Sequence, residues 1–579
     1  MISLRAIATA FIVLDWVAIL VFFVSSGMLK GQEEAYLQET IESKTFTNPS
    51  LALKVVRLLA PYIEVPLKHY NSYNIIGTDY GKIYLGIKID PDYCDKVLQN
   101  FVEEPSIYFN ELNFLTDDLP DALMRSKLIP TVGRDLNPNT TYAVIPKKNS
   151  STPRWFLDPK ITMYYINREL HYHHRYGKEI ACLYQEFSYI PGIATLFRKD
   201  YVASSATNYT YKYADKPQCF DGNKFFPRTL ALDNKTECEK WFNYINSDAY
   251  KEEKRQKTIV FIRKISVGSH QGKGVQVVDE EEEKNLTETY QNGKLCGKIK
   301  KPVIVQRYVA NPLLLMDHKF DFRIYMLIAS TNPLVVFYHD GFLRVSLFEY
   351  DVNNKEKAMH LTNTAQSVKA MKKLANSMNS TMNEQELLDF QMWNLTRFTD
   401  YLVSIGKVES RDWLDEYLRP QFQHAMQHLV RMTQHMLYPG SQSYQLMGVD
   451  FMLDDDLNLW FIEANVGPEL KGSPKQKEML VSRMVYDLFE ITTSFLKSRL
   501  KRIVKYVNWL ENSGQIQIDE EGNVTIKKLE QRRKEFADIT KNYFDEEFEL
   551  SSDNTWVKIV DENIEGLARY NGMFDIECF

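Results

Sequence analysis

Residues 448–465, Gly-Val-Asp-Phe-Met-Leu-Asp-Asp-Asp-Leu-Asn-Leu-Trp-Phe-Ile-Glu-Ala-Asn, constrain the fold more than any other stretch of the chain. Two apolar runs flank a polar turn, the pattern of a β-hairpin. With the turn centred on Asp456-Leu457, Asp450 falls opposite Glu463. Glu463 and Asn465 are two residues apart and so share a strand face. Val449, Phe451, Leu453, Trp460, Ile462 and Ala464 are expected to form the other, apolar face. Two opposed carboxylates repel unless a cation lies between them. Oxygen donors from Asp450, Glu463 and Asn465 suit Mg²⁺, which keeps waters and takes nucleotide phosphate oxygens. The competing reading is a solvated polar face.

A second pattern lies upstream. In Lys319-Phe-Asp-Phe-Arg-Ile324, charges alternate with apolar residues, so a half-buried strand presents Lys319, Asp321 and Arg323 along one line. Such a line is either a surface salt ladder or a nucleotide pocket, with Lys on phosphate or base, Asp on ribose or base and Arg on an anionic group. Apolar strands Tyr325–Ala329 and Leu334–Tyr338 follow, with turns expected at Asn332-Pro333 and His339-Asp-Gly341; Arg344 emerges after the second. A third pattern, Ile265-Ser-Val-Gly-Ser-His-Gln-Gly-Lys-Gly274, lies between strands expected at Thr258–Arg263 and Val275–Val278. A glycine-rich loop there closes over phosphates through backbone N–H groups, or is an ordinary flexible hairpin. It is not a Walker loop, because no helix follows and the Gly-Lys-Ser/Thr pattern is absent.

The 70 Lys and Arg against 76 Asp and Glu exclude a general basic coat, so no nucleic-acid partner is expected. Cys94, Cys182, Cys219, Cys238, Cys296 and Cys578 contain no C-x-x-C pair, which argues against a zinc ribbon. Ala6 to Val24 is almost wholly apolar, broken by Thr9 and Asp15, and long enough to span a bilayer. It predicts a signal anchor in residues 1–30 rather than a cleaved signal peptide, hence a single-pass membrane protein. The flanking charges place the bulk of the chain on the lumenal side of an endomembrane; a cytosolic domain would instead be cytoskeleton-associated. Sequons at Asn139, Asn149, Asn208, Asn234, Asn285, Asn379, Asn394 and Asn523 favour a glycoprotein.

Residues 31–155 carry no catalytic signature. From 156 to 500 the periodicities alternate as in an α+β domain, with Glu280–Glu283 expected in a solvated loop. Residues 501–579 turn charged and read as a peripheral helical tail.

A glycine flap, then a Lys-x-Asp-x-Arg strand, then a carboxylate–amide hairpin is the order of parts in an ATP-grasp ligase. In Gln306-Arg-Tyr-Val-Ala-Asn-Pro-Leu-Leu-Leu315, Lys319-Phe-Asp-Phe-Arg323, His360-Leu-Thr-Asn363, Gly448-Val-Asp450 and Phe461-Ile-Glu-Ala-Asn465 the chain resembles the tubulin–tyrosine ligase-like enzymes. The resemblance runs over about residues 190 to 495, from Arg198-Lys-Asp200 and Phe226-Pro227 onward. It implies ATP and Mg²⁺, a free amino acid as donor (tyrosine, glutamate or glycine), and a protein carboxylate as acceptor, on tubulin or another protein, activated as an acyl phosphate. Gln306, Arg307, Tyr308 and Val309 would form the hinge beside adenine. Lys319 and Asp321 would bind ATP, and Thr362 and Asn363 would line its pocket. Asp450, Glu463 and Asn465 would hold Mg²⁺, and Arg323 and Arg344 would face the reacting carboxylates. The family often has Lys-Pro before the flap, whereas here Lys264 precedes Ile265, so either Lys264 or Lys273 serves the phosphates. Two alternatives stand beside this reading. One is a catalytically weak, membrane-tethered microtubule binder using Lys497, Arg499, Lys501, Arg502 and Lys505. The other is a lumenal glycosyltransferase using Asp454-Asp-Asp456 as an Asp-x-Asp metal motif.

Overall fold

The computed structural model describes residues 44–60, 91–116, 142–144, 159–165 and 182–564, except 191, 218, 223, 257–258, 267–273, 300–302, 353–383, 438 and 471–474. In chain order, helices α1 (Pro49–Leu59) and α2 (Pro91–Glu103) precede a short parallel sheet, β1 (Phe114–Thr116), β2 (Tyr142–Val144), β3 (Met163–Tyr165) and β4 (Glu186–Phe187). Helix α3 (Lys199–Lys212) leads into a second unit, β5 (Thr229–Ala231), α4 (Lys235–Ile245), α5 (Asp248–Gln256), β6 (Phe261–Ile265), β7 (Val275–Val277), α6 (Glu280–Thr289) and β8 (Val303–Arg307). Its strands pair antiparallel in the order β5-β8-β6-β7. The central sheet is built from β9 (His318–Thr331), β10 (Leu334–Glu349) and, after helices α7 (Leu395–Ser404) and α8 (Arg419–Thr433), the hairpin β11 (Gln445–Leu453) and β12 (Leu459–Val466). Their order is β10-β9-β11-β12, all antiparallel. Helices α9 (Lys475–Asn512) and α10 (Leu529–Ile539) and strand β13 (Val557–Asp561) follow. The architecture is mixed α+β, as the periodicities predict.

Strand β9 organises two cores through its alternation. Phe320, Phe322, Ile324, Met326 and Ile328 face one core, with Phe398 of α7 and Phe422 of α8. Tyr325, Leu327 and Ala329 face the other, under Val481, Val485 and Leu488 of α9. Lys319, Asp321 and Arg323 lie on this second face too, one half-strand earlier. Helix α9 thus roofs the apolar half of the face, and the polar half is left to the site. A third core, with Trp241, Phe242, Tyr250 and Phe261, belongs to the β5–β8 unit alone.

Several expectations are corrected. His339-Asp-Gly341 is no turn: β10 runs through it to Glu349, and the register shifts between Arg323 and Tyr325 on its partner. A Cβ on Gly341 would come within 1.7 Å of the Arg323 carbonyl oxygen, so the glycine serves a bulge where two backbones meet. In the hairpin, Asp450 does pair with Glu463, but a register shift follows, giving Phe451↔Phe461 and Met452↔Trp460. Phe461 therefore enters the core, while Trp460 and Ile462, expected there, are half-exposed. Glu280–Glu283 is the first turn of α6, capped by Asp279, which accepts from Glu282 N. Acidic residues favour that end of a helix, and Glu282 is buried against Arg263 at 2.6 Å. Residues 501–564 are no peripheral tail: α9 continues to Asn512, and β13 pairs with β10.

The single-pass membrane assignment is also corrected: among the described residues no helix is long and apolar enough to cross a membrane. Ala6–Val24, which suggested it, lies outside the described residues. Two sequon asparagines, Asn234 and Asn394, are helix N-caps whose side chains accept backbone N–H groups.

Candidate functional site

Register brings the charged residues of β9–β12 together. Arg323 pairs with Asp450 across β9–β11, Asp321 with Arg344 across β9–β10, and Asp450 with Glu463 across β11–β12. Arg323 donates through Nε (2.5 Å) and Nη2 (3.0 Å) to both oxygens of Asp450. Arg344 donates to both oxygens of Asp321, through Nε at 2.9 Å and through Nη2, and also from Nη2 to Asp450 at 2.8 Å. Asp450 thus accepts from both guanidiniums. Gly448 is part of this arrangement: a Cβ there would lie 2.9 Å from Arg323 Cδ and 3.0 Å from Pro468 Cβ.

Other elements add cations. Lys199, at the start of α3, reaches Glu463 at 3.0 Å. Its neighbours Arg198 and Asp200 pair with each other (2.6 Å) and are buried. In the sequence, Arg198-Lys-Asp200 only marks the start of the resemblance and gives Lys199 no site role; the signal that points to it is the position of that motif ahead of the others. Lys264 on β6 is buried, and its Nζ donates to Gln306 Oε1 at 2.6 Å. Lys319 is buried, donates to Tyr308 OH at 3.1 Å and lies over the Tyr308 and Tyr350 rings. Lys273, Thr362 and Asn363 lie outside the described residues. Arg307 turns to the opposite face of its sheet and pairs with Glu253 (2.7 Å) and Tyr244 (2.9 Å), so its side chain is no part of the cleft. Val309 is half-buried just past β8.

The electrostatics follow from this packing. Burial works to raise Glu463, but Lys199 and then Lys264 hold it down at about 2. Burial pushes Lys319 down to about 7 against the pull of Asp321, and Lys264 down to about 8 against the pull of Glu463. Burial also raises Asp321, opposed by Arg344. The site is thus rich in desolvated cations, which suits a polyanionic ligand.

Among the described residues no group of three or more His, Cys, Asp or Glu is arranged to hold a metal. Mg²⁺ demands less, since one or two carboxylates suffice when phosphate oxygens complete the shell. Asp450 and Glu463 stand opposite each other and supply carboxylate oxygens of the right kind, while Asn465 donates from Nδ2 to Asp450 at 3.5 Å and offers its amide oxygen as a further ligand. A cavity of about 550 Å³ adjoins Glu463 and is lined also by Lys199, Thr229, Gln306 and Phe461 among others. The Asp454-Asp-Asp456 run is a turn: Asp454 accepts from Trp460 Nε1 and Asn458, and Asp455 pairs with Lys407. The proposed basic patch on α9 is not a surface either: Arg499, Lys501 and Arg502 are buried and paired with Glu186, Glu547 and Asp545.

The profile of the Tubulin-tyrosine ligase family matches residues 178–501. The chain is 27% identical to a protein polyglycylase TTLL10 of Macaca fascicularis, over 48% of this chain and 43% of that protein. It is 25% identical to the inactive polyglycylase TTLL10 of Homo sapiens, over 48% and 40%. It is 28% identical to the tubulin polyglutamylase TTLL7 of Mus musculus, over 55% and 33%. The chain thus spans less than half the length of these relatives.

Proposed function

The chain belongs to the tubulin-tyrosine ligase family, and from that premise we propose that it is an ATP- and Mg²⁺-dependent ligase of the ATP-grasp type. It joins a free amino acid to a carboxylate of an acceptor protein, with tubulin the first candidate. The observation that carries this reading is the cross-strand cluster. Asp450 and Glu463 stand opposite each other, and Lys199, Lys264, Lys319, Arg323 and Arg344 outnumber the fixed carboxylates Asp321, Asp450 and Glu463. A site that must hold a triphosphate and a reacting carboxylate needs that excess of positive charge.

Bound ATP would supply its γ-phosphoryl group to the acceptor carboxylate, releasing ADP and leaving an acyl phosphate from which the amino acid's amine displaces inorganic phosphate; Mg²⁺ would supply positive charge to the phosphates. Asp450, Glu463 and Asn465 hold the metal. Lys319, beside Tyr308 and Tyr350, receives the nucleotide; Lys199 and Lys264 neutralise its phosphates. Arg323 and Arg344 orient carboxylates through planar, bidentate forks. Of the two relatives named polyglycylase, one is named inactive; the cluster here favours an active enzyme, and glycine is the first donor to try.

The test is mass spectrometry of tubulin incubated with the protein, ATP, Mg²⁺ and mixed amino acids, with Glu463→Gln as the control. ATP-dependent mass additions matching an amino acid, absent with Glu463→Gln, are expected. Additions that persist with Glu463→Gln would remove the metal assignment, and no addition with wild type would remove tubulin as acceptor.

A further inference from the structure

We infer that Thr229 is a positioning residue that acts through Gln306 to aim Lys264 at the nucleotide phosphates, an inference that rests on the nucleotide-binding reading of the cleft. Thr229, Gln306 and Lys264 sit on β5, β8 and β6, which are neighbours in the sheet, and Thr229 stands directly opposite Gln306. All three are buried, at 9%, 8% and 6% exposure. Thr229 Oγ1 lies 2.7 Å from the Pro227 carbonyl oxygen, which can only accept. The single hydroxyl proton is therefore committed there, and the hydroxyl must act as acceptor elsewhere. Gln306 meets that demand with Nε2 at 2.8 Å. Its carboxamide is thereby fixed in one of its two orientations, with Oε1 turned to Lys264 Nζ at 2.6 Å. The direction of the relay is set at Pro227 and carried to the ammonium. Lys264 has a flexible four-carbon stem, and this tether holds it where its charged neighbours are Glu463, Lys199 and Asp450.

The family resemblance puts Gln306 beside adenine. The relay uses both ends of its amide to hold Lys264 instead, and the two roles separate experimentally. Thr229→Val keeps the shape and removes the hydroxyl, leaving the Gln306 amide free to turn over. Affinities for ATP, ADP and adenosine are measured by displacement of a fluorescent ATP analogue, on wild type, Thr229→Val, Thr229→Ser, Gln306→Leu and the double variant. ATP and ADP binding should weaken about tenfold in Thr229→Val, the scale of one buried hydrogen bond lost. Adenosine, which lacks phosphates, should bind unchanged, and Thr229→Ser should restore the wild-type values. Thr229→Val on top of Gln306→Leu should add nothing, because both break one relay. This comparison stands even where Thr229→Val lowers folding yield. Unchanged ATP affinity, an equal loss for adenosine, or additive losses in the double variant would overturn the inference while leaving the nucleotide site intact. Wild type that binds none of the three ligands would overturn the site itself, and the inference with it.

Discussion

Lys319 shows how one buried side chain sets a measurable property of the site. Burial brings its ammonium down to about 7, so in the empty protein it loses its proton near neutral pH. Binding an anionic phosphate requires that proton back. As pH rises above 7 each ligand bound must take up a proton, and affinity should fall by up to about tenfold per pH unit. Titration of ATP binding from pH 6.5 to 8.5 should show this slope, and Lys319→Met should bind more weakly but with a flatter profile. Parallel profiles would assign the pH dependence to another group. Arg344 carries a second expectation. It is not an isolated fork at a strand end but the bidentate partner of Asp321 and a donor to Asp450. Arg344→Ala leaves a buried carboxylate without its cation, so it should cost nucleotide affinity as well as ligation. Truncating one partner of such a pair costs roughly 2–5 kcal/mol. Retained ATP affinity with ligation lost would return Arg344 to a pure carboxylate contact.

The elements were legible in unequal measure, for physical reasons. The Asp450–Glu463 pairing was legible because strand alternation and the turn at Asp456-Leu457 leave little freedom. The register shift after Asp450 was not, since it is set by packing of Phe461 against Phe226 and Phe451. Gly341 looked like a turn residue because close backbone approach and a turn ask for the same residue type. Helix α9 misled most: Lys497 to Lys505 has the charge density of a solvated face, yet the helix is covered on nearly all sides. Arg499 is fully buried and donates to Leu183, Ser441 and Gln185 carbonyls, Asn542 and Glu186. It ties α9 to β4 and to the segment before β11. Burial raises Glu186 to about 7 even with Arg499 beside it. Arg499→Met should destabilise the fold by about 3–5 kcal/mol, because a buried carboxylate loses its partner. The sign of the pH effect follows: an acid whose folded pKa lies above its unfolded value binds more protons when folded, so stability falls as pH rises from about 4.5. Denaturant melts of Arg499→Met should therefore weaken further between pH 5 and 8, and adding Glu186→Gln should flatten that trend. A pH-independent loss would mean that packing, not charge, is what Arg499 supplies.

Across the whole molecule, the two cross-links between described residues follow the division into cores. Cys94–Cys182 lies in the core beneath α9, and Cys238–Cys296 staples α4 to the turn after α6 inside the β5–β8 unit. The site is shared between bodies. Asp321, Arg323, Arg344, Asp450 and Glu463 ride on the central sheet, while Thr229, Lys264 and Gln306 ride on the β5–β8 unit. That unit has a small core of its own, and so depends more on its staple than the central sheet does on any bridge. Closing a loop of 58 residues is worth about 4 kcal/mol on chain-entropy grounds, and removing such bridges costs about 2–5 kcal/mol. With Cys238→Ala and Cys296→Ala combined, the β5–β8 unit should open locally before the molecule unfolds. Amide hydrogen exchange should lose protection over residues 229–265 and 303–307, while β9 to β12 keep theirs. Nucleotide affinity should fall in parallel, because Lys264 depends on the ordered unit. The wild-type reference must be made under oxidising conditions, since Cys238 and Cys296 are paired. Uniform loss of protection across both bodies would show that they unfold as one, and that the staple stabilises the molecule rather than the wall of its cleft.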